Sequence, residues 1–357
     1  MTDWTGENLK VKLLGASHAD FVGAVLSGIK KGEKIDMETV NELVSLRRPN
    51  ASAYSTRRNE PDDFIFESGV DENFVTTGED IVVKIKNNDA KSEDYAKFSG
   101  LVRPSHADYA AYAKYGENVD LRGGGIFSGR MTAPLCVVGG IALGILKRKN
   151  VSVCAYLNCV GNVKFASYDD ENFVLPDKIA PFATATEPQK KQAEDLFAAL
   201  REEGESVGGS VECVVSGVPA GVGDAQFGAI ECRLSSILFG IPAVKAVEFG
   251  LGKNFACTLG SKVRDEFYYD GDKIKTTTNY NGGINGGISN GMPIVLRVAV
   301  KPTPSIAKPC RTVDVKNKKE AILNIPGRHD VCIAPRAVPA VAAAVAIAVL
   351  DLTENNG

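Results

Sequence analysis

Three short segments of the chain each combine a histidine with glycine, serine, arginine or aspartate. They are residues 15–18, which end in His18, residues 103–109, which contain His106 and Asp108, and residues 327–330, where His329 precedes Asp330. These are the 3 histidines of the whole chain, so no histidine lies in an apolar run. Because imidazole titrates near neutral pH, this distribution predicts proton transfer as part of the chemistry.

Glycine-rich and cationic stretches accompany these histidines. Residues 122–125 read Arg-Gly-Gly-Gly, and a run without Cβ atoms lets backbone N–H groups approach an anion or a flat ring closely. Arg47 and Arg48 stand before a proline, and Arg130 stands before an apolar segment. For any single arginine, a solvated loop or a surface helix cap remains the alternative. As a cluster, the guanidinium groups suit clamping of phosphate or carboxylate.

Two later segments are also glycine-rich or cationic. Residues 281–291 are rich in paired glycines, which favours a backbone pocket, although such repeats alone are a weak signal. Lys301 to Ser305 form an extended Lys-Pro-Thr-Pro-Ser segment whose ammonium and hydroxyl groups suit a phosphate. Asp330 lies just ahead of an apolar helix, where it is either a helix cap or a base.

These residues together indicate a reaction class. The arginines and glycine turns predict an anionic, phosphorylated ligand, and the histidines with Asp330 predict proton transfer. The sequence has no P-loop, no nucleophile elbow and no metal-ligand spacing. We therefore expect elimination or transfer at a phosphorylated small molecule, with an imidazolium protonating the departing phosphate.

Composition limits the other classes of function. The net charge of −3 argues against sequence-independent nucleic-acid binding, which needs a broad basic surface. The 8 cysteines form no CxxC pair and several lie in apolar runs, so we expect buried, reduced thiols. The first residues lack a signal-peptide pattern. The most apolar stretches, 135–146 and 338–350, are too short for a bilayer span, and we predict that they are buried helices.

The pattern of apolar residues predicts the elements that position the motifs. Strands are expected at 10–14, 22–28, 64–70, 81–86, within 151–183, and at 206–215, 240–250 and 294–300, and helices at 36–46, 133–147, 186–203, 228–239 and 338–350. The order strand, turn, helix, strand that starts at Val22 occurs again after Ser206. This similarity suggests an internal duplication.

Read in order, the motifs resemble those of the chorismate synthase family. The matching segments run from residue 15 to about 340 and include residues 15–18, 47–49, 103–109, 114–116, 122–125, 206–209, 217–221, 242–245, 282–291, 301–303 and 327–330. No single motif decides the matter, but the ordered set is highly specific.

The resemblance implies a function and a fold. It implies conversion of 5-enolpyruvylshikimate-3-phosphate to chorismate by 1,4-elimination of phosphate and a C6 hydrogen, with reduced FMN as cofactor and NADPH as a candidate flavin reductant. The implied fold is α+β, a β-α-β sandwich with helices packed between antiparallel sheets. We expect one domain over residues 1–357, a homotetramer in the cytoplasm, a small-molecule substrate, and no metal, nucleic acid or membrane.

The resemblance also implies residue roles. His18 would protonate the leaving phosphate, His106 would stabilise the protonated reduced flavin, and Asp330 would assist hydrogen removal. The substrate, or NADP, would be held by Arg47, Arg48, Arg103, Arg130 and Arg336. The flavin would be held by Ser128, Ala243, Gly286, Lys301, Pro302, Thr303, Pro304, Ser305 and Arg328.

Some positions depart from the family pattern. Ala16 replaces the usual glutamate, Ile126 and Phe127 replace an arginine and a serine, and Ala53 stands where a loop arginine is expected. Losing a cation beside the flavin would weaken its binding by about 1–3 kcal/mol. One alternative is therefore a non-catalytic paralogue that binds FMN or a phosphorylated acid. A second is an enzyme that also reduces its flavin with NADPH.

Overall fold

The computed structural model describes residues 3–48, 61–87, 100–117, 119–120, 122–325 and 330–354. In these ranges the helices are α1 Met37–Arg47, α2 Asp108–Tyr115, α3 Thr132–Arg148, α4 Glu187–Glu202, α5 Ile230–Leu238 and α6 Ala334–Thr353. The strands are β1 Asp3–Thr5, β2 Lys10–Gly15, β3 Phe21–Ser27, β4 Phe64–Ser68, β5 Ile81–Lys86, β6 Ser152–Val160, β7 Val163–Lys164, β8 Gly209–Ser216, β9 Val244–Phe249, β10 Phe267–Asp270, β11 Lys273–Thr276, β12 Ile284–Asn285, β13 Ile288–Ser289, β14 Ile294–Val300, β15 Cys310–Asp314 and β16 Lys319–Leu323.

Two antiparallel sheets enclose a layer of helices. Within the described residues, each sheet has 5 strands, in the orders β1-β2-β3-β5-β4 and β7-β6-β8-β14-β9. Helix α3 packs on β3 and β5 of the first sheet, and helix α6 packs on β6 and β8 of the second. The expected α+β sandwich is confirmed by this arrangement.

Helices α3 and α6 form the centre of the molecule and pack against each other. Small residues allow the close approach, since a Cβ added to Gly139 would lie 2.5 Å from the Cα of Ala343. The apolar segments Gly129–Arg148 and Ala334–Thr353 are each 20 residues long, longer than the sequence suggested, and therefore long enough to span a membrane. They are 94% and 83% buried inside the protein, so their apolar character is explained by their place between two sheets.

The two halves of the chain share one topology. In the first, β2, β3, α1, β4, β5 and α3 follow in sequence, and the sheet order is β2-β3-β5-β4. In the second, β6, β8, α5, β9, β14 and α6 follow in sequence, and the sheet order is β6-β8-β14-β9. The matching orders support the internal duplication that the sequence suggested.

A clasp joins the end of α6 to the first sheet. Asp351 is fully buried, and its carboxylate accepts hydrogen bonds from the backbone N–H groups of Glu7, Asn8 and Leu9 at 2.9, 2.7 and 2.7 Å. Charge-assisted hydrogen bonds of this kind are the strong ones. The clasp therefore fixes the connection between β1 and β2 against the last helix.

The outer face of the second sheet carries a separate polar network. Glu212 is fully buried there, accepts a hydrogen bond from the Tyr156 hydroxyl at 2.7 Å and pairs with Arg297 at 2.7 Å. Arg297 also pairs with Asp169 at 2.5 Å. This network lies on the face of the sheet away from the central helices and holds the segment that covers it.

Most predicted elements are observed, with their ends shifted by a few residues. The predictions missed α2 and the ribbons β10–β11 and β15–β16. The expectation for the cysteines was only partly right: Cys232 and Cys257 are exposed, whereas Cys136, Cys154, Cys213 and Cys332 are buried.

Candidate active site

A cavity of about 720 Å³ lies where α3 and α6 begin. Thr132 and Ala337, in the first turns of these helices, both line it. Helix N-termini favour negative charge, because their first N–H groups have no partner within the helix. The predicted site residues that line the cavity are Arg47, Arg103, His106, Ser128, Arg130, Ala243, Lys301, Thr303, Pro304, Ser305, Asp330 and Arg336.

The glycine run forms the wall between two histidines. Gly123, Gly124 and Gly125 have φ values of 58°, 97° and 55°, a region that side chains rarely adopt. A Cβ on Gly123 would overlap the ring of His18, and one on Gly124 would lie 3.5 Å from Nε2 of His106. His18 does not line the cavity itself, but it lies against a residue that does. The approach of His18 therefore requires glycine at position 123, and the positive φ values favour glycine at all three positions.

His106 belongs to a cluster with Asp108 and Arg103. Its Nδ1 lies 2.6 Å from Oδ1 of Asp108, and Arg103 donates from Nε and Nη2 to the two oxygens of the same carboxylate at 2.7 and 2.8 Å. Burial works to raise the pKa of Asp108, but the hydrogen bonds from His106 and Arg103 outweigh it and lower that pKa. Asp108 is therefore ionised at neutral pH.

Arg47 and Arg130 share one buried carboxylate. Arg47 Nη1 lies 2.7 Å from Oδ2 of Asp62, and Arg130 Nη1 pairs with Oδ1. Burial works to raise the pKa of Asp62, but the two arginines outweigh it and lower that pKa. Asp62 follows a gap in the described residues and has a positive φ of 51°. It holds both guanidinium groups in fixed positions on the cavity wall.

Asn87 connects this arginine pair to the His18 loop. Its Oδ1 accepts a hydrogen bond from Arg130 Nε at 3.0 Å, and its Nδ2 donates to the backbone oxygens of Ala16 and Ala19 at 3.0 and 2.7 Å. One amide thus sets the position of the loop that carries His18 relative to Arg130.

The start of α6 supplies a third arginine pair. Arg336 Nη1 lies 3.0 Å from Oδ2 of Asp330, and its Nε donates to the backbone oxygen of Arg47 at 3.2 Å. The side chains of Arg336 and Asp330 remain 17% and 15% exposed, so both are accessible from the cavity. Asp330 is paired with an arginine, and the N-cap position of α6 is taken by Ile333, which makes no side-chain cap hydrogen bond.

The second half of the chain forms the opposite wall. Lys301 donates to the backbone oxygen of Ser105, and burial, together with the nearby Lys245, lowers its pKa. Thr303 Oγ1 is buried without a hydrogen-bond partner among the described residues. Two neighbouring ammonium groups and an unpartnered hydroxyl are the groups that an anionic, polar ligand would satisfy.

Several predicted residues lie elsewhere. Pro302 and Arg48 are outside the cavity lining, and Arg48 pairs with Asp63 at 3.7 Å. Gly286 is in the turn of the β12–β13 hairpin and is not among the residues that line the cavity, so the binding role expected of this glycine repeat stays a prediction. Arg328, His329 and Ala53 fall outside the described residues.

The departures at 126 and 127 are directly on the cavity wall. Ile126 and Phe127 both line it, together with Phe239 from the second half. This part of the wall is apolar where the resembled family has an arginine and a serine. A changed flavin affinity remains a prediction.

Sequence reasoning missed Asp62, Asn87, Asp108 as a partner of His106, and Lys245. Asp62 and Asn87 carried no local signal, because their partners are distant in sequence. Asp108 and Lys245 stood inside motifs that were quoted for other residues. Among the described residues, no group of three or more His, Cys, Asp or Glu side chains could hold a metal ion.

Comparison with known proteins gives one consistent family. The chorismate synthase family model matches residues 9–353. The chain is 42% identical to a chorismate synthase of Aeropyrum pernix over 98% of this chain and 92% of the relative, and 41% identical to one of Thermococcus gammatolerans over 97% and 96%. A crystal structure of a chorismate synthase superposes with a TM-score of 0.75 at 26% identity, covering 98% of this chain and 92% of that one.

Proposed function

The chain belongs to the chorismate synthase family, and from that premise we propose that the cavity at the start of α3 and α6 is its active site. The enzyme is a lyase that converts 5-enolpyruvylshikimate-3-phosphate to chorismate by 1,4-elimination, in the shikimate pathway of aromatic amino acid biosynthesis. The reaction breaks the C–O bond to phosphate and removes a hydrogen from C6. Members of the family need a reduced flavin, although the net reaction is redox-neutral.

One observation carries the assignment of the site: groups far apart in the sequence meet at one cavity. His106, Asp330 and Arg336 line it, and His18 lies against its glycine wall. The volume of about 720 Å³ is within the usual range of small-molecule sites, roughly 300–1,000 Å³. Cations and proton-transfer groups are thus concentrated where an anionic substrate has to react.

The arginines bind the substrate in this proposal. Arg47, Arg103 and Arg130 are each fixed by a carboxylate behind the cavity wall, so their guanidinium groups lose little freedom when an anion arrives. Arg336 approaches from the other half of the chain, and Arg48 extends the cluster outside the cavity lining. Together they hold the phosphate and the carboxylates of the substrate by charge-assisted hydrogen bonds.

Proton transfer is assigned to three side chains. His18 protonates the departing phosphate, which makes it a better leaving group. Asp330 assists removal of the C6 hydrogen, and its ion pair with Arg336 holds the carboxylate at the cavity. His106 holds a proton at the edge of the flavin site.

The opposite wall fits a flavin mononucleotide. Among the described residues Thr303 Oγ1 is buried without a hydrogen-bond partner, and Lys301 lies beside Lys245. We assign the flavin to Ser128, Ala243, Lys301, Thr303, Pro304 and Ser305, with Pro302, Gly286 and Arg328 as further candidates. When bound, the reduced flavin supplies electron density that helps to expel phosphate.

The remaining assignments rest on the family. We propose FMN as the flavin, NADPH as its candidate reductant, a cytoplasmic homotetramer and a single domain over residues 1–357. The central layer of α3 and α6 is shared by both sheets, which favours one domain. Exposed aromatic side chains on the β10–β11 ribbon, Phe267 at 66% and Tyr269 at 76%, favour contacts between copies.

Anaerobic turnover tests the site assignment. Purified protein is mixed with the enolpyruvyl substrate and chemically reduced FMN, and phosphate and chorismate are measured. We expect equal amounts of both products, and a loss of at least about 100-fold in kcat for His18→Asn and Asp330→Asn. Wild-type protein that binds FMN but releases no phosphate would favour the non-catalytic paralogue. NADPH oxidation in air tests the flavin-reducing activity.

A further inference from the structure

The geometry points to Asp108 as the positioning residue of His106. We infer that its carboxylate holds His106 in the tautomer with the proton on Nδ1, so that Nε2 is the atom presented to the cavity. This inference rests on the proposed role of His106 at the flavin site. It adds a residue to which neither the sequence motifs nor the comparisons gave a role of its own.

Every contact of the Asp108 carboxylate is directed at the His106 loop. Oδ2 accepts from the backbone N–H of Arg103 at 2.9 Å and from its Nε at 2.7 Å. Oδ1 accepts from Arg103 Nη2 at 2.8 Å and lies 2.6 Å from His106 Nδ1. With four donors around it and only 5% of its side chain exposed, the carboxylate has no freedom to turn away.

A helix cap does not explain this arrangement. Asp108 is the first residue of α2, where a carboxylate is favoured by the helix dipole. Its oxygens, however, accept from Arg103 and His106, which precede the helix, and α2 has no side-chain cap. The dipole stabilises the charge, but the hydrogen bonds hold the loop.

The tautomer follows from the charge of the partner. Asp108 is ionised, because its pKa is lowered, and an ionised carboxylate only accepts hydrogen bonds. Nδ1 must therefore be the donor. Nε2 has no hydrogen-bond partner among the described residues, and His106 lines the cavity. The imidazole consequently exchanges protons with the cavity through Nε2 alone.

Asp108→Asn should reverse this tautomer. The amide oxygen of asparagine is best placed at the Oδ2 position, where two donors of Arg103 meet it. The NH₂ group then takes the Oδ1 position, where it faces one donor of Arg103, Nη2, and Nδ1 of His106. Nδ1 can become an acceptor only by moving its proton to Nε2. The same exchange follows when the carboxylate behind a catalytic imidazole becomes an amide in serine proteases.

The tautomer can be read by nitrogen NMR without substrate or flavin. The chain has only 3 histidines, so ¹H–¹⁵N correlations of the imidazole rings can be assigned with His18→Asn and His106→Asn variants. At a pH where the rings are neutral, we expect His106 to be protonated on Nδ1 in the wild type and on Nε2 in Asp108→Asn. A wild-type His106 with its proton on Nε2 would overturn the inference, even if the variant did not fold.

Kinetics test whether Asp108 acts through His106. We expect Asp108→Asn to lower kcat by about 10- to 100-fold, the range known for removal of a group that orients a metal-binding imidazole. In a His106→Ala background the same substitution should change kcat by less than about 3-fold, because residues that act as a unit are not additive. A change in KM through Arg103 is expected in both backgrounds. If the losses in kcat from Asp108→Asn and His106→Ala multiplied in the double variant, the inference would be contradicted.

Asp169→Asn is the matched control. It also removes a carboxylate from an arginine, but on the outer face of the second sheet. Its kcat and its histidine spectra should equal those of the wild type. If wild-type protein shows the Nδ1–H tautomer but no turnover, the proposed function fails while the positioning by Asp108 stands. If the wild type turns over normally but shows the Nε2–H tautomer, the proposed function stands and the positioning by Asp108 fails.

Discussion

The two halves of the molecule have the same strand order and helix placement but contribute different chemistry. The half that ends in α3 contributes both described imidazoles, His18 and His106, and the arginines Arg47, Arg103 and Arg130. The half that ends in α6 contributes Asp330, Arg336 and the wall that contains Lys301 and Thr303. The duplication therefore repeats the scaffold, and the loops in front of each central helix have acquired separate functions.

The halves also differ in how their charges are held. In the first, Asp62 is buried between Arg47 and Arg130, with side-chain exposures of 0%, 3% and 7%. In the second, Asp330 and Arg336 remain 15% and 17% exposed. A closed ion cluster resists rearrangement, whereas an accessible pair can contact a ligand in the cavity. The first arrangement suits binding of a fixed anion, and the second suits a group that reacts.

The largest difference between the halves should appear on removing each carboxylate. Asp62→Ala leaves two buried guanidinium groups facing each other, so we expect it to lower the free energy of unfolding by about 3–5 kcal/mol. Asp330→Ala should lower it by only about 1 kcal/mol, because water reaches Arg336. Urea unfolding measures both values. Equal losses would mean that the two charge arrangements do not differ.

A second test concerns the wall that only the first half provides. Gly123→Ala puts a Cβ into the ring of His18 at a φ of 58°, so we expect kcat to fall by about 100-fold, the effect of a displacement of about 1 Å at a reacting group. Gly32→Ala is the control, since Gly32 also has a positive φ, of 92°, but lies outside the cavity lining, and a Cβ there meets nothing within 4 Å. Similar kcat values for the two variants would show that the position of His18 does not matter.

The clasp at the end of α6 gives a smaller effect. Asp351→Asn turns one amide N–H toward a backbone donor of Glu7, Asn8 or Leu9, and we expect a loss of about 1.5–3 kcal/mol in the free energy of unfolding. Glu354→Gln weakens a partly exposed ion pair with Lys149, the residue that follows α3. We expect it to lower the free energy of unfolding by about 1 kcal/mol or less. Thermal unfolding of the two variants would contradict the comparison if Glu354→Gln were the less stable.

The smallest expected effect is on the free energy of unfolding at acidic pH. The pKa of Asp62 is lower in the folded protein than in the unfolded chain, so its contribution is complete above the unfolded pKa of about 4 and is lost as pH falls through the folded pKa. In the second half, burial raises the pKa of Asp169 despite its pairing with Arg297. The contribution of Asp169 to the free energy of unfolding therefore changes with pH in the opposite direction. Between pH 5 and pH 3, Asp62→Asn should flatten the decline in unfolding free energy, and Asp169→Asn should not.

Local patterns were sufficient to predict most of the scaffold. The alternation in β3 and β5 and the apolar runs in α3 and α6 are signals contained within one element, so they could be found without knowing any partner. Helix α2 was missed because its eight residues carry a motif that was interpreted as chemistry, and two of its buried residues, Asp108 and Ala111, do not form an apolar stripe.

The site was predictable only where a motif carried it. His106, Lys301 and Asp330 stood in recognisable segments, and all three line the cavity. Asp62 had no such signal, since its partners Arg47 and Arg130 are 15 and 68 positions away. The glycine repeat around Gly286 forms a tight hairpin turn outside the cavity lining, so its predicted binding role stays a prediction. Contacts between distant positions are decided by the fold and leave little trace in composition.

The clasp of Asp351 has a consequence for synthesis of the protein. Glu7 and Asp351 are 344 positions apart, so the first sheet cannot be seated on helix α6 until the chain up to residue 351 has left the ribosome. Until then, the apolar inner faces of β2 and β3 lack the complete helical layer that covers them. Contacts between residues so far apart in the sequence slow folding and leave aggregation-prone intermediates exposed. Production of this protein in a foreign host should therefore respond strongly to chaperone supply and to the rate of translation.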